Sequence, residues 1–114
     1  RVLFVPSVGN FRQGMIVSIP LQLATLAGKP AAADFEKALA KHYQASTFVS
    51  VVEAEANGKL DAEGLNDTNH LDIRVVANAK QGHAVLIARL DNLGKGASGA
   101  AVQNLSLMLG LNLS

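Results

Sequence analysis

Gly94-Lys95-Gly96-Ala97-Ser98-Gly99 fits the pattern G-x-G-x-x-G, follows a run that reads as a strand and opens a run that reads as a helix. In that setting the pattern is a dinucleotide fingerprint, in which glycines allow a tight turn and let pyrophosphate approach the bare N–H groups of a helix N-terminus. The fingerprint also requires a second strand after the helix and an acidic residue about 20 positions on, to hold the ribose. No acidic residue follows Asp91, and no strand is expected after the helix. The plainer reading is that these small residues let the helix approach another backbone closely, while its N-terminus keeps the capacity to face an anion.

The histidines carry less. His42, His70 and His83 are not spaced as metal ligands, no close glutamate supports them, and the chain has no cysteine. No metal site is expected, and structural or surface roles are expected for all three. The nearest approach to a nucleophilic triad is Ser7, His70 and Asp72, of which His70 and Asp72, two apart on a strand, share a face.

The elements that position these residues follow from periodicity. Val2 to Val5 is a short apolar run, read as a buried strand that Pro6 stops. A loop from Ser7 to Gln13 follows. Val17, Ile19, Leu21 and Leu23 then alternate, the period of a half-buried strand, and Pro20 places that strand at a sheet edge or beside a bulge. Pro30 suits a first helical turn, so a helix is expected from about Ala31 to Tyr43, with Phe35, Ala38, Leu39, His42 and Tyr43 inward. Thr47 to Val52 reads as a strand. Glu53 to Asn69 is a long polar loop with turn signals at Asn57-Gly58 and Asn66-Asp67. Leu71, Ile73, Val75 and Ala77 line one face of the next strand, and Ala84 to Leu90 returns antiparallel to it. Asp91 and Asn92 are good helix caps. From Gly96 to Ser114 there is no charge, and Val102, Leu105 and Leu109 form one of two apolar helix faces. Such a helix needs cover on most sides, more than the rest of the chain can give, so a partner outside this chain is expected.

At 114 residues, 49% of them apolar, the chain makes one small domain, and with four Phe and one Tyr its core must be aliphatic. A net charge of +1 without a basic run gives no footprint for nucleic acid. Gln103, Asn104 and Asn112 interrupt the uncharged stretch, so no membrane span is expected. The absence of cysteine and of a signal peptide fits a cytoplasmic protein, and a start on Arg1 suggests a piece of something longer. The expected fold is α+β: a mixed, mostly antiparallel sheet with helices on one face. Its other face is left for a second copy, paired sheet on sheet.

Three segments carry a resemblance. Asp91-Asn92-Leu93, Lys95-Gly96-Ala97, Gly99, Ala101-Val102-Gln103-Asn104 and Gly110-Leu111 resemble the C-terminal helix of N-acetyl-gamma-glutamyl-phosphate reductases. Phe4-Val5-Pro6 followed by Gly14 resembles their strand and loop into the active site, and Thr68-Asn69 with Asp72-Ile73 resembles their Thr-Asn-x-Cys-Asp-Ile segment. The resemblance implies a fold like the C-terminal domain of glyceraldehyde phosphate dehydrogenases. It also implies two units: residues 1–90 for substrate and dimer contacts, and 91–114 as a helix packing on a Rossmann domain absent from this sequence.

In the resembling reductases a cysteine thiolate attacks an acyl phosphate to give a thioester, which NADPH reduces to the semialdehyde used in arginine biosynthesis. The resemblance implies that chemistry here, with the cysteine outside the chain. Ser7 stands where those reductases carry their acid–base histidine, and a serine hydroxyl does not titrate near neutral pH. Gln13 stands before the loop glycine, Gly14, where they carry an arginine that holds substrate anionic groups, and Arg12 lies one place earlier. Arg12, Gln13 and Gly14 are therefore the expected substrate contacts. Asn92 matches a position near the nicotinamide amide, with a plain helix cap as the alternative. Lys95 and Gly96 complete the cofactor side. Ser7 and Gln13 leave open a non-catalytic dimerisation module of a degenerate reductase. A relative of aspartate-semialdehyde dehydrogenase is a further alternative.

Overall fold

A computed structural model describes residues 1–112; Leu113 and Ser114, the last two positions of the expected closing unit, lie outside the described residues. The elements are β1 (Met15–Gln22), α1 (Ala32–Tyr43), β2 (Val49–Val51), β3 (Leu71–Asn78), β4 (His83–Leu90) and α2 (Gly99–Leu109). The four strands form one sheet in the order β1-β4-β3-β2. β4 runs antiparallel to both β1 and β3, and β2 runs parallel to β3. This is the mixed, mostly antiparallel α+β sheet that the periodicity predicts. Pro20 lies on the edge strand β1, opposite Val85, where a missing ladder donor is tolerated.

α1 packs against β2 and β3. Asp34 Oδ2 accepts from the N–H of Ala31 at 2.8 Å, which fixes the first turn, and Lys41 and His42 stand in the last turn, where cations complement the helix dipole. Its half-buried stripe is Ala32, Phe35, Leu39 and Tyr43. Ala38 and His42, expected inward, are exposed, because the helix settles on its Leu39 side and leaves them on the flank.

Two expectations are corrected. Val2 to Val5 forms no strand and stays exposed, Val2 at 95% and Phe4 at 82%. A strand is a pairing rather than a composition, and no strand of the chain pairs with this run. On β3 the face bearing Leu71, Ile73 and Val75 is only half-buried, Ala77 is exposed, and the fully buried residues are Asp72 and Arg74 on the opposite face.

There, Arg74 Nη1 and Nη2 donate to the two oxygens of Asp72 at 3.1 and 3.2 Å, and Nη2 also meets Glu55 Oε1 at 3.1 Å. Arg89, directly across the ladder from Asp72, donates to it through Nη2 at 2.7 Å. The Arg89 Nη1 group reaches the carbonyl of Asp61 at 3.1 Å, which ties the long loop to the sheet. Alternation assigns such residues to water, but charges paired this way can be buried, here with Arg74 Nε alone of the Arg74 guanidinium nitrogens left without a partner. The Asp72 hydrogen bond holds the Arg89 guanidinium above its usual range.

Ala84 is the one fully buried apolar residue among the described residues. Apolar side chains instead face outward: Met15, Val17 and Ile19 on one face of β1, and Val102, Leu105, Leu107, Met108 and Leu109 along α2. No described helix is long and apolar enough to cross a membrane.

The ion cluster gives a direct expectation. Asp72→Ala leaves two guanidinium groups facing each other, one of them 2% exposed, and should cost about 3–5 kcal/mol of stability. Urea denaturation of the variant beside the parent chain measures it, and an unchanged midpoint would rule out this role for Asp72.

Candidate functional site

The end of β4 feeds a tight polar corner. Asp91 is 1% exposed, and its carboxylate gathers three segments of the chain. Oδ1 accepts from the N–H of Leu93 at 2.9 Å, and Oδ2 accepts from the N–H of Asp67 at 2.7 Å and from Gln13 Nε2 at 2.8 Å. The N–H of Gly94 also bonds it. Burial pushes the Asp91 carboxyl up, but the N–H groups of Asp67, Leu93 and Gly94 and the Gln13 amide together hold it below its usual value.

Helical structure begins earlier than the regular α2, with a π-turn at Gly94–Ser98. The N–H groups of Gly96 and Ser98 reach back five residues, to the carbonyls of Asp91 and Leu93. The donors that a fingerprint loop would turn toward pyrophosphate are thus satisfied inside the chain, the first of them by Asp91. The glycines answer to packing: a Cβ on Gly99 would lie 2.4 Å from Asn69 Oδ1. The close backbone approach that the small residues suggested is therefore made to the Thr68-Asn69 segment. Asp67 itself takes a left-handed backbone, φ 63°, which short polar side chains tolerate.

On the other side of Asp91, Gln13 is 6% exposed; Nε2 also donates to Asp67 Oδ1 at 3.1 Å, and Oε1 accepts from Arg12 Nη2. Gly14 has φ 114°, outside the range of other residues, and a Cβ there would strike the carbonyl of Ala62 at 2.4 Å. Its N–H donates to Asn92 Oδ1 at 2.8 Å. Asn92 therefore holds the loop before β1, and the capping work falls to Asp91.

These residues border a cleft of about 430 Å³ at the end of the sheet. Arg12 stands at its exposed rim, and Asp67, Thr68, Asn69, Asp91 and Ser98 line it. Of the residues expected to contact substrate or cofactor, Arg12 and Gln13 line this cleft. Gly14, beside them, fixes the loop. Ser7 is exposed on the extended N-terminal segment, outside the cleft. Asn92, Lys95 and Gly96 are also outside its lining; Lys95 Nζ donates to Gln103 Oε1 at 3.2 Å and stands 5.7 Å from the centre of the Phe48 ring. His70 and Asp72 point to different partners, His70 to the Phe48 ring and Asp72 to the arginines, and no triad with Ser7 forms. Among the described residues no group of His, Asp and Glu is arranged to hold a metal. Asp67 and Asp91 were missed as site residues. Their one signal is position, since each is an acid at a chain reversal where backbone donors are left over.

This fold and corner define a class: a family model described as semialdehyde dehydrogenase, dimerisation domain, matches residues 1–92, and the chain belongs to that family. Among curated proteins it is 50% identical over 115 residues to an N-acetyl-gamma-glutamyl-phosphate reductase of Trichormus variabilis. It is 48% identical over 113 residues to N-acetyl-gamma-glutamyl-phosphate reductase 2 of Pseudomonas putida, and 49% over 113 residues to the reductase of Brucella ovis. Each match covers 96% of this chain and 36% of the relative, so the chain spans little more than a third of their length.

Acid titration checks the Asp91 hub. A carboxyl whose native pKa is lowered contributes stability that is full above its unfolded value, near 3.8, and is lost as pH falls through the native value. Asp91→Asn puts an amide donor against N–H groups and should be less stable at neutral pH, with a shallower loss of stability through the carboxylate range. Denaturant midpoints across that range report both effects, and matching acid limbs would show that Asp91 is not the group responsible.

Proposed function

We propose that this chain is the substrate-binding and dimerisation part of an NADP-dependent reductase that converts N-acetyl-glutamyl phosphate to the semialdehyde in arginine biosynthesis. The observation that carries the reading is identity near 50% along 96% of the chain to proteins named for that reaction. In this reading Arg12 receives an anionic group of the substrate at the cleft rim, Gln13 and Gly14 hold the loop that presents it, and residues 91–114 lie against a Rossmann domain of the same protein. A planar guanidinium suits carboxylate or phosphate, which it meets with two parallel bonds.

The thiol that forms the acyl enzyme belongs outside the chain, which has no cysteine. Ser7 holds the place of the acid–base histidine but has no group that titrates near neutral pH, so it positions or solvates rather than exchanging protons. When bound, NADP supplies the reducing equivalents. Asn92 Oδ1 accepts from the Gly14 N–H and Lys95 Nζ donates to Gln103, which leaves the Asn92 Nδ2 donors and two Lys95 N–H groups for a cofactor, while the Gly96 N–H is used by the Asp91 carbonyl. In this reading the Rossmann domain holds most of the cofactor, and Asn92 and Lys95 meet it from this side.

Unpartnered apolar surface supports a second copy on β1. Met15, Val17 and Ile19 of the edge strand are 42%, 42% and 50% exposed, and a two-fold partner covering them satisfies both copies at once. The exposed row on α2 is assigned to the Rossmann domain instead.

Two measurements test the reading. The full-length protein should reduce N-acetyl-glutamyl phosphate with NADPH, whereas this chain alone should form no product. A folded full-length protein that binds NADPH without turnover would favour the non-catalytic module, which Ser7 and Gln13 also fit, and preference for aspartyl phosphate would favour the semialdehyde dehydrogenase alternative. The chain should also sediment as a dimer at roughly tens of micromolar, where a complex of micromolar Kd is populated, and a monomer mass there would remove the dimer assignment.

A further inference from the structure

The amide of Gln13 has only one orientation open to it. On one side stand two carboxylate oxygens, Asp91 Oδ2 at 2.8 Å and Asp67 Oδ1 at 3.1 Å, which only accept. On the other stands the Arg12 guanidinium, which only donates. Turning the amide over would set donor against donor and acceptor against acceptor. Gln13 and Asp91 are buried, and Asp91 is tied to the backbone at Asp67 and Leu93, while Arg12 is exposed.

We propose that Gln13 is a positioning residue: through its Oε1 it passes the fixed geometry of Asp91 to the Arg12 guanidinium and aims the remaining N–H groups of Arg12 at an anionic end of the substrate. The inference rests on the substrate reading above and adds that Gln13 itself touches no ligand, its amide being engaged at both ends. Asp67 and Asp91 in the cleft wall repel an anion, so the guanidinium at the rim is the place that holds it. A long, flexible side chain loses rotamer freedom when it grips a ligand, and fixing it beforehand lowers that cost.

A double-substitution cycle in the full-length protein tests this, with Arg12→Gln, Gln13→Met and the pair together. Each single change should raise KM for the acyl phosphate by roughly tenfold, the worth of one charge-assisted hydrogen bond, and leave KM for the nicotinamide cofactor unchanged. The pair should be no worse than Arg12→Gln alone. Effects that multiply, or a Gln13→Met protein with lowered thermal midpoint and unaltered KM, would overturn the proposal and leave Gln13 a purely structural residue. If Gln13→Met does not fold, Gln13→Lys keeps a donor for the carboxylates, removes the acceptor for Arg12 and enters the same cycle. If the parent protein turns over no acyl phosphate, the function reading has failed on its own. The cycle is then read by calorimetry with N-acetyl-L-glutamate and inorganic phosphate, where a non-additive loss of binding sustains the positioning role and equal affinity in all four proteins ends it.

Discussion

A buried carboxylate must find donors, and in this chain the search by Asp91 assembles the site. Its two oxygens draw in the turn that leads to α2, the left-handed corner at Asp67 and the loop before β1. These segments are far apart in sequence and have little apolar surface to hold them together. Hydrogen bonds to a charged group are about twice as strong as neutral ones, and leaving any of these donors unmet in the interior costs more than the bond contributes. The loop before β1 and the start of α2 therefore meet in a single arrangement, and the cleft between them is its consequence.

The same constraint operates on the sheet. Asp72, Arg74 and Arg89 occupy the place where a larger domain would put aliphatic side chains, and their neutralising contacts with Glu55 and the Asp61 carbonyl bind the long loop to the strands. The interior is thus specified by polar pairing as much as by hydrophobic burial. The apolar side chains that a self-contained domain would bury lie outward, on β1, on α2 and along the N-terminal segment. The chain belongs to a family of dimerisation domains and covers 36% of its relatives, and outward apolar surface of this extent is what an interaction site presents.

The departures on the Ser7–Gly14 loop take a different meaning once the geometry is known. Gln13 faces two acids, so in the proposed reading it acts as a support, and the exposed cation beside it meets the ligand. Ser7 is exposed on the N-terminal segment. In that reading Arg12 serves the substrate side, and Ser7 supplies no proton exchange.

Much of this was fixed by local sequence. The alternation of Val17, Ile19 and Leu21, the Pro30-led helix, the antiparallel return after Asn78 and the choice of edge or bulge set by Pro20 all depend on backbone sterics and on periods of two and 3.6, which need no tertiary information. The family was legible too, in the segments around Pro6, Thr68 and Asp91. Tertiary structure alone decided which charges are buried, because Asp72 and Arg89 become partners only when β3 and β4 pair in register. It also decided that Asp91 rather than Asn92 caps the helix, and that the glycine-rich turn serves packing against Asn69. The apolar run Val2 to Val5 shows the limit from the other side: hydrophobicity can propose a strand, but only a neighbouring strand with free hydrogen-bonding groups can make it one.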